Sequence, residues 1–152
     1  MRSLQQTLFT LLHRLNNQTL NLEDVTTPSK PTCQVGFEFG IAEGSAFNFL
    51  DEEEQRRMCK NVAAKALPTL DLLCAIRYHT VNEGGKRKPL KFDYQLLRLT
   101  FYKKNIELFV SHERGTQRIP LEDLVTFLTN RTNKELATKQ QRQLTLKYLH
   151  TL

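Results

Sequence analysis

The sequence predicts an α+β domain in which helices cover one antiparallel sheet of roughly five strands. Apolar residues recur at helical spacing near both ends of the chain, and five segments between them alternate with a period of two. The predicted connections are short, so neighbouring strands are expected to be antiparallel. Each strand alternates apolar and polar residues instead of reading as a solid apolar run, which disfavours a parallel doubly wound sheet.

The length suits one domain, and the charge is concentrated in its second half. The 152 residues carry a net charge of +6. Residues 1–50 contain three Lys/Arg and four Asp/Glu, residues 51–100 contain ten and seven, and residues 101–152 contain nine and five. Clustered Lys and Arg release counterions from phosphate backbones, so this asymmetry favours a polyanionic partner. The predicted parts are an N-terminal helix and linker over 1–27, a sheet–helix core over 32–130 and a C-terminal helix over 133–152.

The N-terminal segment is predicted to form an amphipathic helix from about Ser3 to Asn16. Leucines recur on one side of it, at positions 4, 8, 11, 12 and 15. Packing on the domain is the favoured interpretation. A mitochondrial presequence over residues 1–18 is the alternative, because the segment has arginine and serine but no acidic residue. No apolar run reaches the roughly 18 residues of a membrane span, and we expect an intracellular protein, cytoplasmic or nuclear, without membrane contact.

A hairpin around a turn at Glu43-Gly44 is predicted next, with one aromatic face inward. That face is expected to carry Val35, Phe37, Phe39, Phe47 and Phe49. A helix then begins at Asp51, which forms a predicted capping box with Glu54, and Pro68 ends it.

Three strands follow as a meander. The first places Leu72, Cys74, Ile76 and Tyr78 on one side. In the second, the apolar phase changes from positions 92, 94 and 96 to positions 97, 99 and 101, which indicates a bulge within the strand. The third turns Ile106, Leu108 and Val110 inward. Two helices are predicted at the end of the chain, one from Pro120 to Leu128 and one from about Lys134 to Leu149.

Successive loops of a meander alternate between the two ends of a sheet. The segment NEGGKRKPLKFDY, residues 82–94, therefore shares an end with the turn at 113–116. The spacing and the Ser/Thr of a Walker A loop are absent, so Gly84-Gly85 are interpreted as turn residues. A solvated turn is the alternative to phosphate contact. The predicted nucleic-acid-binding residues at this end are Lys86, Arg87, Lys88, Lys91, Arg114 and Arg118.

Enzymatic and metal sites find little support in the sequence. His79 and His112 are the candidate acid/base pair, because the meander places both near the same end of the sheet. No nucleophile or zinc-protease motif accompanies them, and Cys33, Cys59 and Cys74 lack the spacing of zinc ligands. We predict no catalytic residue, no metal and no cofactor.

The favoured function is a non-enzymatic basic module that contacts DNA or RNA backbone with little sequence specificity, within a larger assembly. The first alternative is an adaptor subunit that binds a protein partner, or forms a homodimer, through its terminal amphipathic helices. A phosphodiester-acting enzyme using His79 and His112 is less favoured. An RRM-like domain needs aromatic side chains on an exposed sheet face, and GFEFG matches its motif poorly, so Phe37 and Phe39 are expected in the core.

Overall fold

The computed structural model describes residues 1–26, 33–81 and 87–147, without the side chains of residues 81 and 87–91. The elements are α1 (Arg2–Asn16), β1 (Thr19–Asn21), a 3-10 turn (Leu22–Asp24), β2 (Gln34–Glu43), β3 (Ala46–Phe49), α2 (Glu52–Ala64), β4 (Thr69–Val81), β5 (Arg87–Phe101), β6 (Ile106–Arg114) and α3 (Leu121–Thr138). The predicted α+β class is confirmed, with one open antiparallel sheet of six strands in place of roughly five.

The strand order is β1-β2-β4-β5-β6, and β3 also pairs with β2. β1 and β3 therefore share the outer side of β2, where β1 pairs with Gln34–Gly36 and β3 pairs with residues 40–43. Asn16, the last residue of α1, fills the gap between them. Its side chain accepts a hydrogen bond from the Phe39 N–H (2.6 Å) and donates one to the Phe39 carbonyl (3.2 Å).

The helices pack on one face of the sheet, and this face holds the core. α1 contributes Phe9, Leu12 and Leu15, α2 contributes Met58 and Val62, and α3 contributes Leu124 and Phe127. The sheet contributes Val35, Phe37, Phe39, Leu72, Cys74, Ile76, Tyr78 and Leu97. The Phe37 ring stacks on both Phe39 (5.8 Å between centroids) and Phe127 (5.6 Å). The prediction that these strand residues face inward is confirmed for β2 and β4.

The helix ends differ in detail from the predictions. α1 begins at Arg2, one residue before its predicted start at Ser3. Only half of the predicted capping box forms at α2, because the Asp51 carboxylate accepts from the Glu54 N–H while the Glu54 side chain pairs with Arg57. None of the helices in the described ranges is long and apolar enough to cross a membrane.

The two helices predicted near the C-terminus are one continuous helix, α3. Residues 129–133 continue this helix, and the hydroxyls of Thr129 and Thr132 donate to carbonyls one turn earlier. The predicted helix over 134–149 is therefore wrong over residues 139–147, and residues 148 and 149 lie outside the described residues. Residues 141–147 are not helical, and the side-chain amide of Asn133 binds both the N–H and the carbonyl of Leu144.

Candidate functional site

The face of the sheet opposite the helices carries exposed aromatic side chains. We call this surface the open face. Its outward-pointing residues are Phe47, Phe49, Leu73, Ala75, Arg77, Phe92, Tyr94, Leu96, Arg98 and Phe109. Phe47, Phe49 and Phe109 are each about half exposed, at 50%, 52% and 48%, and Phe92 is 42% exposed. Exposed aromatic patches of this kind usually mark a binding surface.

The register of β3 places two of these rings outside the core. Phe49 lies opposite Gly40, and Phe47 lies opposite Ala42. Directly paired residues point to the same side of a sheet, and Gly40 and Ala42 alternate with the buried Phe39. The prediction that Phe47 and Phe49 face inward is therefore wrong, because the turn puts them in phase with the small residues of β2.

β5 supplies three more outward side chains. Phe92, Tyr94 and Leu96 are predicted to face inward before a change of phase, but β5 alternates without interruption from residue 92 to residue 100. Its register shift against β4 lies earlier, between the pairs Tyr78–Lys91 and His79–Pro89. Its core-facing positions are instead Asp93, Gln95, Leu97 and Leu99. The predicted bulge within β5 is thus replaced by a strand whose first half is polar inside and aromatic outside. The pairing of β5 with β6 also has a register shift, because Tyr94 pairs with Arg114 whereas the next residue, Gln95, pairs with His112.

Two glycines of β2, Gly36 and Gly40, lie between the aromatic residues of β3 and those of β5. Gly40 has Phe49 on one side and Leu73 on the other, and Leu73 in turn lies opposite Leu96. At Gly36 an added Cβ would lie 3.5 Å from Arg77 Nη2, so the glycine lets the guanidinium lie close to the sheet. On β5 the rings of Phe92 and Tyr94 stack nearly parallel, with centroids 6.2 Å apart.

The two arginines of the open face are paired with carboxylates. Arg77 Nη2 lies 3.2 Å from Glu38 Oε1. Arg98 donates to both carboxylate oxygens of Asp71, at 2.6 and 2.9 Å. This bidentate hydrogen bonding lowers the pKa of Asp71 below its ordinary range. The centre of the open face is therefore close to neutral, although the whole chain is basic.

The described backbone places several of the predicted basic residues at one end of the sheet. Lys86 lies outside the described residues, and the backbone of β5 pairs Arg87 with Val81, Lys88 with Thr80 and Lys91 with Tyr78. Arg114 pairs with Tyr94, so β6 ends at the same end of the sheet. Arg118 is placed differently, because its guanidinium lies over the ring of the buried Tyr78 at 5.6 Å.

The proposed acid/base pair does not assemble. His79 pairs with Gln34, on the open side of β2, whereas His112 pairs with Gln95, whose side chain faces the core. The sheet separates the two histidines, and β5 lies between their strands. The expectation that His79 and His112 approach one another is therefore wrong.

A buried carboxylate lies directly behind the aromatic half of β5. Asp93 is fully buried and accepts hydrogen bonds from the Tyr78 hydroxyl (2.5 Å) and from the backbone N–H groups of Gln117 (2.8 Å) and Arg118 (3.2 Å). His112 Nε2 lies 3.6 Å from the same carboxylate. Burial raises the pKa of Tyr78, and its hydrogen bond to Asp93 raises it further. This network has no access to a substrate, and it fixes the loop that follows β6.

A second concave region lies between the 3-10 turn and α3, with a volume of about 520 Å³. Its charged lining residues are Glu23, Asp24, Asp123, Arg131 and Lys134. Several are already engaged, since the Thr26 hydroxyl donates to Asp123 and Arg131 lies over the Phe127 ring at 5.1 Å. The mixed charges favour no particular class of ligand, and the open face is the better candidate.

The chemistry available on the open face is stacking. Its exposed groups include aromatic rings, the paired arginines and the carboxylate of Glu107. Within the ranges that the structure describes, no group of three or more His, Cys, Asp or Glu is placed to hold a metal ion. No protein-family model, curated protein or solved structure matches this chain. The open face lies near the basic segment 86–91 of the sequence and Arg114, which we together call the basic rim. Flat rings near such a segment suit a ligand that is itself flat and anionic.

The sequence contained one signal for this surface. In LKFDYQLL the aromatic residues alternate with Asp93 and Gln95, and either set can face inward. Four exposed aromatic residues, Phe47, Phe49, Phe92 and Phe109, and the partly buried Tyr94 were not among the predicted site residues.

Proposed function

We propose that the open face binds single-stranded nucleic acid without catalysing a reaction. Bases stack on its aromatic side chains, and the cations at the β4–β5 end contact the phosphates. The observation that carries this proposal is the set of aromatic side chains exposed on a sheet face that the helices leave uncovered. Stacking of bases on protein rings is worth about 1–3 kcal/mol per base and tolerates any base.

The charge distribution supports different roles for two parts of this surface, with base stacking at its centre and phosphate contact at its basic end. Arg77 and Arg98 are neutralised by carboxylates, so the centre of the face offers rings more than free charge. The basic segment 86–91 leads directly into Phe92, and Arg114 lies beside Tyr94. A strand of DNA or RNA would lay its bases over the rings while its backbone follows the basic rim. Phosphate contacts carry no sequence information, so we expect little base specificity.

The adaptor interpretation has less support from the geometry. The buried leucines of α1, Leu8, Leu11, Leu12 and Leu15, already pack in the chain's own core. Leu144 is held by Asn133, and Leu146 is exposed. We place the protein inside the cell, in the cytoplasm or nucleus, where a single-stranded polyanion is at hand and its three free cysteines stay reduced.

The test is binding of fluorescently labelled dT and U oligonucleotides of about 15 nucleotides, followed by anisotropy. Phe92→Ala and Phe49→Ala should each weaken binding roughly 5- to 150-fold, the equivalent of one lost stacking contact. Tyr102→Ala is the matched control, because Tyr102 is 46% exposed but lies in the turn between β5 and β6. A parent protein that binds neither oligonucleotide, or an equal loss in the Tyr102 variant, would overturn the proposal.

The contribution of the basic rim is measured separately by salt. Replacing Lys86, Arg87 and Lys88 by alanine should flatten the slope of log K against log salt by about 2, at roughly 0.7 per phosphate of a single strand. An unchanged slope would show that the cations of this segment do not contact phosphates.

A further inference from the structure

The last strand of the sheet, β6, pairs with β5 on one side only. An edge strand offers a row of backbone N–H and C=O groups to any other strand. The opposite edge of the sheet consists of two short strands, β1 with three residues and β3 with four, and the Asn16 side chain lies between them. In the part of the chain that the structure describes, β6 is the longer unpaired edge.

The sequence of β6 lacks the usual protection of an edge. Natural edges are protected by prolines, central charges or shortness. β6 is nine residues long, and its central residues Leu108–Ser111 carry neither a charge nor a proline. Apolar side chains reach the edge on both faces. Ile106, Leu108 and Val110 are only partly buried on the helix side, and Phe109 is half exposed on the open side.

We propose that β6 pairs antiparallel with β6 of a second copy of this chain, forming a two-fold symmetric dimer with one continuous sheet. The axis passes between the two Phe109 residues. Leu108 then lies opposite Val110 of the second copy, and Glu107 lies opposite its Ser111. The same patch on both copies forms the interface, as two-fold symmetry requires.

The charges of β6 select this register. Moving the axis to Val110 would place Glu107 opposite Glu113 of the second copy, and like charges directly opposite each other destabilise a sheet. Moving it to Leu108 would place Glu107 against the Phe109 ring. The axis at Phe109 brings no like charges together over 106–112 and stacks the two exposed rings as a cross-strand aromatic pair.

The proposed dimer depends on the unpaired edge of β6 and not on the nucleic-acid ligand proposed above. It would place the open faces of the two copies side by side. Strand pairing over seven residues lies at the low end of interface sizes, below the roughly 1,200–2,000 Å² of stable complexes. We therefore expect a dimer that forms in a concentration-dependent way, at about micromolar concentrations.

Sedimentation equilibrium from about 1 to 500 µM tests the dimer. Phe109→Lys places two lysines together at the axis and should shift the equilibrium to monomer, while the fold tolerates it because the ring is half exposed. Phe47→Lys is the matched control, since this ring is equally exposed on the same face but lies on β3. A monomeric parent, or a dimer that the Phe109 variant does not weaken, would exclude this interface.

Disulfide formation tests the register. Residues at the axis face themselves, so Phe109→Cys should give a disulfide-linked dimer under mild oxidation, whereas Glu107→Cys faces Ser111 of the second copy and should not. Cys33 and Cys74 are buried, and the parent protein reports any reaction of Cys59. Equal cross-linking of the two variants would contradict the register proposed here.

Discussion

Gly115 lies against the carboxylate of Asp93, so close that a Cβ at position 115 would overlap Asp93 Oδ1 and the Phe92 carbonyl. The glycine also has φ +112°, a conformation that other residues rarely adopt. These two facts explain how the loop after β6 brings the N–H groups of Gln117 and Arg118 onto the buried carboxylate.

Gly115→Ala should therefore lower the free energy of unfolding by about 3 kcal/mol, at the upper end for a strained position. Gly44→Ala is the control, because Gly44 has φ +63° but an added Cβ would meet nothing within 4 Å. It should cost only about 1 kcal/mol, the penalty of the left-handed conformation alone. Urea denaturation measures both, and equal losses would show that Asp93 does not restrict position 115.

Tyr78 should make the protein less stable in alkaline solution. Its pKa is raised in the folded state, first by burial and then by Asp93, so the folded phenol keeps its proton where the unfolded one loses it. Stability is then complete below the ordinary pKa of about 10 and falls as the pH rises above it.

Replacing Tyr78 by phenylalanine should remove this part of the pH dependence. Unfolding free energies measured from pH 8 to about 11 should fall less steeply in Tyr78→Phe than in the parent. Cys74 also has a pKa raised by burial and contributes to both proteins, so the difference between the two slopes isolates the phenol. Parallel slopes would contradict the assignment.

Asn16 should stabilise the sheet like a strand residue. Asn16→Ala leaves the buried N–H of Phe39 without its acceptor, and an unsatisfied buried group costs about 1–3 kcal/mol. Asn17→Ala removes an exposed amide that bonds only within α1, and it should change stability by no more than about 0.5 kcal/mol. Thermal or urea unfolding of both variants measures the difference, and similar small losses would mean that Asn16 is dispensable.

The two pairs of phenylalanines in the β2–β3 hairpin should respond in opposite ways. Phe37→Ala removes a fully buried ring and should cost about 3–5 kcal/mol. Phe47→Ala removes a half-exposed ring of the open face and should leave the unfolding free energy within about 0.5 kcal/mol. A large loss in the Phe47 variant would mean that this ring is covered by something in solution, and the same experiment at several protein concentrations would show it.

Much of the fold follows from alternation alone, but alternation does not say which face is inside. β4 is apolar on one side and mixed on the other, so Leu72, Cys74 and Ile76 were predicted correctly. In β3 and the first half of β5 the aromatic set was assigned to the core by its hydrophobicity. Residues distant in sequence decided otherwise, because Phe49 must follow the phase of Gly40 and β5 must pair with β4.

The prediction that the 82–94 segment and the 113–116 turn lie at the same end of the sheet depended only on the order of the strands. The pairing of Tyr94 with Arg114 agrees with it. To predict whether His79 and His112 lie close together, one must know on which face of the sheet each lies, as well as at which end. His79 and His112 lie on different strands, β4 and β6, which both pair with β5. Whether they share a face of the sheet depends on the two registers with β5, which the sequence of either strand alone does not determine.

The hydrogen bonds of Asp93 have a consequence for how the chain chooses its pairing during folding. If only residues 92–95 slipped by one residue, with a bulge before Leu97, Phe92 and Tyr94 would turn inward and Asp93 and Gln95 outward, while Leu97 and Leu99 stayed in the core. By hydrophobicity alone that misfolded pairing would be preferred. Only in the native pairing does the carboxylate meet the Tyr78 hydroxyl and two backbone donors. The buried Asp93 thus fixes the register of the first half of β5, and we expect Asp93→Leu to yield a compact protein in which this half of the strand is paired one residue out of place.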